Sequence, residues 1–398
     1  MKRTGKQCCT GLAAAAAAAV IAMPAAAETV AELSARVAAL ESKADAQQKQ
    51  PLTVSGGGYG LTFYGFVKGD AVYDNNYDLG YTTGGFIGMG TASGAKEGSA
   101  SHIHAYESRL GIKGLLATDA GDVKFNLEGD FYGGGGGTFR LRHAYGEWGS
   151  LLAGQTWNLW NPQGFVPSRH LDFNGLASSS HYRTPQIRYT HKFSDTVTGM
   201  IGLEEDPSSN AKRVAPAFQI AYNGPQFGFG FGGVHRQLER PDALGGGTTN
   251  GYAVSAAASY KWSSGQVGVQ YGQSKAGTTF KANAGGAGWS PITDPSRTFF
   301  DLDANGEGVK AHGYKFAITQ KLPRESDISF SYGTTILDEF AGFRADDTEQ
   351  LEGAFLTLRH FPTKSVMVGV EAGFFKRTEF DGDSFDNTRL QTSVQFTF

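Results

Sequence analysis

Seven basic side chains stand where their charge has somewhere to act: Lys68, Arg109, Lys113, Arg140, Arg142, Arg188 and Lys192. Arg109 with Lys113, Arg140 with Arg142, and Arg188 with Lys192 lie two or four positions apart, so on an extended chain each pair shares a face. The alternate positions are apolar: Leu110 and Ile112, then Phe139, Leu141 and Tyr145, then Ile187, Tyr189 and Phe193. Lys68 stands in the same relation to Val67 and Ala71. The chemistry open to such a set is recognition of small anions. A guanidinium grips a carboxylate through two parallel N–H donors and releases it without proton exchange. Fixed positive charge along a narrow wet path concentrates anions and repels cations. Asp70, Glu107, Glu128 and Asp130 fall on the same faces, so mutual neutralisation is the competing reading.

The elements that position these residues are β-strands. Val123, Phe125, Leu127 and Phe131 alternate with Lys124, Asn126, Glu128 and Asp130, and the same period of two recurs at 266–271, 327–332 and 389–398. Strict alternation means one apolar and one polar sheet face. It places strands near 61–74, 107–117, 123–132, 139–148, 151–157, 183–193, 197–204, 215–222, 227–236, 251–261, 266–272, 309–321, 327–334, 351–360, 365–375 and 389–398. Short turns (119–122, 149–150, 194–196, 223–226, 263–265, 322–326, 361–364) alternate with mostly longer loops. That rhythm belongs to an up-and-down transmembrane barrel with its short turns on the periplasmic side. So many apolar faces need lipid, and charge on the lipid face at mid-bilayer costs roughly 2–4 kcal/mol for Arg or Lys. The basic residues are therefore expected inside, and about sixteen strands leave room for an aqueous channel.

The ends and the composition fit. Lys2, Arg3 and Lys6, an apolar run from Gly11 to Met23 and Ala25-Ala26-Ala27 predict a signal peptide over 1–27. Its removal takes both cysteines and moves the formal charge from -3 to -6, since three of the 35 Lys+Arg leave and all 38 Asp+Glu stay. Disulfides and thiolate sites are thereby excluded, and an acidic chain is a poor partner for nucleic acid. Val30, Leu33, Val37, Leu40, Ala44 and Gln47 keep a heptad seam, predicting a short periplasmic coiled coil over 28–50, with a linker over 51–60 and the barrel over 61–398.

Taken in order, Phe63-Tyr-Gly-Phe-Val-Lys-Gly-Asp70, Ser108-Arg-Leu-Gly-Ile-Lys-Gly114, Phe139-Arg-Leu-Arg-His-Ala-Tyr145, Leu152-Ala-Gly-Gln-Thr-Trp157 and Pro185-Gln-Ile-Arg-Tyr-Thr190 resemble the DcaP-like porins of outer membranes. The resemblance covers most of the N-terminal half; beyond it, strand pattern and the terminal Phe398 carry it. It implies a homotrimer of sixteen-stranded barrels above bundled N-terminal helices, in contact with outer-membrane lipids. It also implies uptake of small anionic solutes, dicarboxylates among them, with no cofactor. The loop at 158–182, holding Trp160, Phe165, Arg169, His170 and Asp172, follows the fifth strand, as does the loop that narrows general porins.

Other readings stay open. A non-selective diffusion porin needs only the crossed charges. An outer-membrane lipase or protease would need a Ser–His pair, and no G-x-S-x-G or H-E-x-x-H occurs. A plugged structural barrel is disfavoured by inward Gly228, Gly230, Gly232 and Gly268, which are expected to leave space. Asp301, Asp303 and Asn305 open like a calcium loop, but its twelfth position is His312 instead of Glu.

Overall fold

A computed structural model describes Arg36 and residues 52–91, 94–176, 178, 182–208, 210–278 and 301–398. The signal peptide and coiled coil expected over 1–50 lie outside the described residues, Arg36 apart.

The barrel strands are β1 (Tyr59–Asp74), β2 (Arg109–Leu116), β3 (Val123–Gly133), β4 (Thr138–Trp148), β5 (Leu151–Trp157), β6 (Arg183–Lys192), β7 (Val197–Glu204) and β8 (Ala215–Asn223). They continue as β9 (Phe227–Glu239), β10 (Thr248–Trp262), β11 (Gly265–Lys275), β12 (Lys310–Leu322), β13 (Ser326–Leu337), β14 (Thr348–Thr363), β15 (Val366–Glu379) and β16 (Ser384–Thr397). Each pairs antiparallel with the next. β16 returns to β1 from Phe66↔Thr397 to Asp74↔Arg389, which closes a sixteen-stranded antiparallel barrel. Closure satisfies every ladder and leaves no open edge in the hydrocarbon layer. Among the described residues no helix is long and apolar enough to cross a membrane.

Side chains sort by parity as expected for a wall with lipid outside. Val67, Leu110, Leu127, Phe139, Ile187 and Phe229 are exposed on the outer face, whereas Asp70, Asp130, Gln186 and Ser255 are buried on the inner one. The departures from the sequence reading lie at the ends of strands. β15 runs to Glu379 and β16 begins at Ser384, where alternation stopped at 375 and started at 389. Above the lipid the outer face no longer has to be apolar, so the pattern fades before the strand does. At the other end of the chain the expected linker enters the sheet, since Thr53–Gly56 pairs back onto Tyr59–Thr62. The loop expected over 75–106 contains a strand of its own, Ala100–His104, which extends the β2 side of β1.

One phasing was wrong. Alternation puts Tyr145 outside with Phe139 and Leu141. In β4, however, the register slips between Glu128↔His143 and Gly129↔Leu141, leaving Arg142 as a bulged extra residue. Past the bulge Tyr145 pairs with Asn126, whose side chain accepts from Tyr64 Oη inside the barrel. A bulge reverses parity without any mark in the apolar pattern.

The barrel's apolar core sits in its lumen. Leu79, Phe86 and Met89 from the first long loop and Leu176 from the loop after β5 pack with inward-facing Leu351, Phe355 and Phe375. The first loop, with a 3-10 turn over Thr83–Gly88, therefore folds into the barrel, which the sequence reading did not anticipate.

Candidate functional site

The loop between β5 and β6 lies along the inner wall, and the wall is carved to receive it. Trp160 and Phe165 are fully buried. A Cβ at Gly230 would come within 2.5 Å of both Phe165 and Pro162, and one at Gly232 within 2.5 Å of the Leu159 carbonyl oxygen. Gly228 and Gly268 likewise meet Phe165. These glycines were expected to leave open space, and that reading is corrected: they make room for the loop. Around the wall, Gln266 Nε2 donates to the Gly164 and Phe165 carbonyls at 3.2 and 3.3 Å, and Thr319 Oγ1 donates to Pro167 O at 2.7 Å. Glu204 accepts from Leu159 N–H at 2.7 Å, and Glu371 accepts from Leu171 and Asp172 N–H at 2.5 and 3.1 Å. A carboxylate that receives backbone N–H donors in a buried setting makes a strong fixing.

Asp172 ties this loop to the first one. Its carboxylate accepts from Thr83 N–H at 3.0 Å and Thr83 Oγ1 at 2.9 Å, and Arg389 reaches it at 3.4 Å. Arg389 also holds Asp74 through two bonds, 2.9 and 2.6 Å, and donates to Gly80 O at 2.6 Å. Two loops thus narrow the barrel as one cross-linked body.

Between this body and the β2–β6 wall lies a cavity of about 600 Å³, lined by Glu107, Arg109, Arg140, Arg142, Trp157, His170, Asp172, Arg183 and Lys315 among others. Arg140 forks onto Asp130 at 3.0 and 2.8 Å. Arg142 bonds Glu128 at 2.8 Å and Asp130 at 2.9 Å, and Arg109 approaches Glu128 at 3.5 Å. Three guanidiniums therefore share two carboxylates. Arg183 brings a fourth, which lies over the Trp157 ring at 4.5 Å. Phe173 of the loop sits under Arg140 at 4.8 Å and against Tyr132 at 4.5 Å, adding an aromatic wall beside the cations.

The predicted residues separate by role. Arg109, Arg140 and Arg142 converge on the cavity. Lys68 does not reach the path: it is 2% exposed, paired with Asp70 at 3.1 Å and with Glu107, and donates to Leu171 O at 2.6 Å as a strut for the loop. Lys113 lies over Tyr64 at 4.7 Å and nearer the short turns. Arg188 shares the inner face with Leu152 and Gly202, and Lys192 is exposed opposite Thr198 near the periplasmic end. Within the loop, Trp160, Phe165 and Asp172 are anchors, His170 stacks on Phe355 at 5.1 Å, and Arg169 is exposed. Arg183 and Lys315 were missed. Lys315 was legible, because Tyr314 and Ile318 face out and it falls between them. Arg183 was not, because counting back from outward Ile187 puts it outside; it opens β6, where the chain leaves the loop, and its head turns over Trp157.

Two other candidate sites have their acids engaged elsewhere. Asp301 is buried against Arg236 at 2.6 Å, while Asp303 accepts from Asn305 and Glu307 N–H at 2.9 Å each, so both carboxylates of the expected calcium loop already have partners within the protein. Ser326 and His360 lie 3.0 Å apart on an exposed rim, but the adjacent Asp327 is held bidentately by Arg359 at 2.9 and 2.6 Å.

A closed barrel with an apolar outer wall, narrowed from within by its own loops around a charged passage, is an outer-membrane channel of the porin class. The DcaP outer membrane protein family matches residues 34–234, just over half of the sequence, and the chain belongs to that family. Among solved structures it is similar to the outer membrane channel DcaP of Acinetobacter baumannii (TM-score 0.73, 20% identity, 86% of this chain and 99% of that one). The anion-selective porin from Comamonas acidovorans aligns at TM-score 0.57 and 15% identity, over 85% of this chain and 100% of that one. The outer membrane protein OmpT of Vibrio cholerae, in its trimer form, aligns at 0.57 and 12%, over 86% and 100%. These identities speak for the fold alone. No curated protein sequence matches the chain.

Proposed function

We propose that this outer-membrane porin is a passive channel for small hydrophilic solutes that favours anions, carboxylates and dicarboxylates among them. The observation that carries the reading is the charge count at the constriction. Arg109, Arg140 and Arg142 share Glu128 and Asp130, and Arg183 adds a cation with no carboxylate of its own. A surplus of positive charge in a confined, partly desolvated passage lowers the barrier for an entering anion. The anion-selective Comamonas porin shows that this fold can support such a preference. In reconstituted liposomes, succinate is expected to enter faster than its uncharged diamide, which has nearly the same size. Equal or slower entry of the acid would sink the reading.

A non-selective channel is the second reading, and one observation favours it. Lys68 is shared by Asp70 and Glu107, and Arg389 by Asp74 and Asp172, so these neighbouring groups carry the opposite imbalance. Lys68, Asp70, Asp74 and Arg389 are buried in the loop attachments, whereas Glu107 and Asp172 line the cavity together with Arg109, Arg140, Arg142 and Arg183.

The proposal extends to assembly: a signal over 1–27, an N-terminal helix over 28–50 in the periplasm, and three barrels per assembly. The heptad seam and the trimer form of the similar OmpT support it.

A further inference from the structure

Arg183 differs from every other arginine around the cavity. Arg140 and Arg142 spend N–H donors on Glu128 or Asp130, and Arg109 is ion-paired with Glu128 at 3.5 Å. No carboxylate among the described residues ion-pairs with Arg183. Its guanidinium lies over the indole of Trp157 at 4.5 Å, and Trp157 in turn stands edge-on to His143 at 5.4 Å. His143 is fixed by Thr156 Oγ1 at 3.0 Å. An aromatic face attracts a guanidinium without using its in-plane donors. The ring therefore sets the plane of Arg183 while its donor edge stays available to a solute in the cavity.

We propose that Arg183, seated on Trp157, is the residue that sets selectivity and takes the carboxylate of a passing anion. The inference rests on the anion-favouring reading above and sharpens it. Arg109, Arg140 and Arg142 mainly neutralise the wall, and Arg183 supplies the charge that solutes feel. Geometry adds a preference for planar oxyanions, since a fixed fork matches a carboxylate better than a spherical ion.

The test uses the full-length mature porin in planar bilayers, under a KCl gradient and then with added acetate. The wild type must first show an anion-selective reversal potential; a cation-selective one removes the parent reading, and this proposal with it. Given anion selectivity, Arg183→Gln should lower chloride permeability by roughly fivefold, as for one unit charge at about 4 Å in water, and the chloride-to-potassium ratio by more, because potassium gains what chloride loses. Arg183→Lys should keep that ratio but weaken the block of chloride current by acetate, and Trp157→Leu should do the same. Heat-modified gel mobility confirms that each variant is a folded barrel, and Arg183→Lys keeps the test alive if Arg183→Gln does not fold. An anion-selective wild type whose ratio is unchanged in Arg183→Gln overturns the proposal. So does acetate block that is undiminished in both Arg183→Lys and Trp157→Leu.

Discussion

On the proposed reading the arginines around the cavity do two different jobs, and substitutions should tell them apart. Arg142 is 4% exposed and bonds both Glu128 and Asp130. Arg142→Ala leaves two carboxylates short of a partner inside the wall, and breaking a buried pair from one side typically costs about 3 kcal/mol or more. The variant should therefore unfold at lower temperature on heat-modifiability gels and shift towards cation selectivity. Adding Glu128→Gln should recover part of both. The basic pattern of the wall was visible in the sequence, because alternation with Leu110, Phe139 and Leu141 forces these side chains inward. Their partners were visible only as one option among two. Which cation meets which acid depends on cross-strand register, and the Arg142 bulge that lets one side chain reach two acids leaves no periodic signal.

Strand and loop carry the shape of the passage. The glycines of β9 and β11 form a groove for Pro162 and Phe165, and burying a side chain such as Phe165 contributes roughly 1.5–3 kcal/mol to holding the loop down. Gly230→Val should lift the loop from the wall. The expected result is a larger single-channel conductance and faster tryptic cleavage at the exposed Arg169; unchanged conductance with unchanged cleavage would contradict the attachment. Asp172→Ala removes the acceptor that joins Thr83 and Arg389. It should give noisier open-channel current, because two loops that are fixed together become separately mobile. The sequence singled out the loop after the fifth strand by its length and aromatics as the candidate for the constriction. It did not identify the first loop as a second lumenal element. Leu79, Phe86 and Met89 are spaced too irregularly to mark a face, and their burial partners, Leu351, Phe355 and Phe375, lie far along the chain on β14 and β15.

At the scale of the whole molecule, a polar-looking chain of mean hydropathy -0.29 spans a membrane because half of each strand's side chains face lipid and half face water. Closure through β1 and β16 was predictable from the strand number and the alternation of short and long links; it needed no tertiary information. If three copies assemble, sedimentation in mild detergent should give three times the mass of the mature chain. Removing residues 28–50 should lower the temperature at which the assembly dissociates. A mass of one chain at all concentrations would remove the trimer from the account. The central claim is narrower: the passage through this barrel is biased towards anions by a surplus of arginine. The zero-current potential of the wild-type channel in a KCl gradient tests it most directly. The account predicts a potential drawn towards the chloride equilibrium value, and a potential drawn towards that of potassium would contradict it.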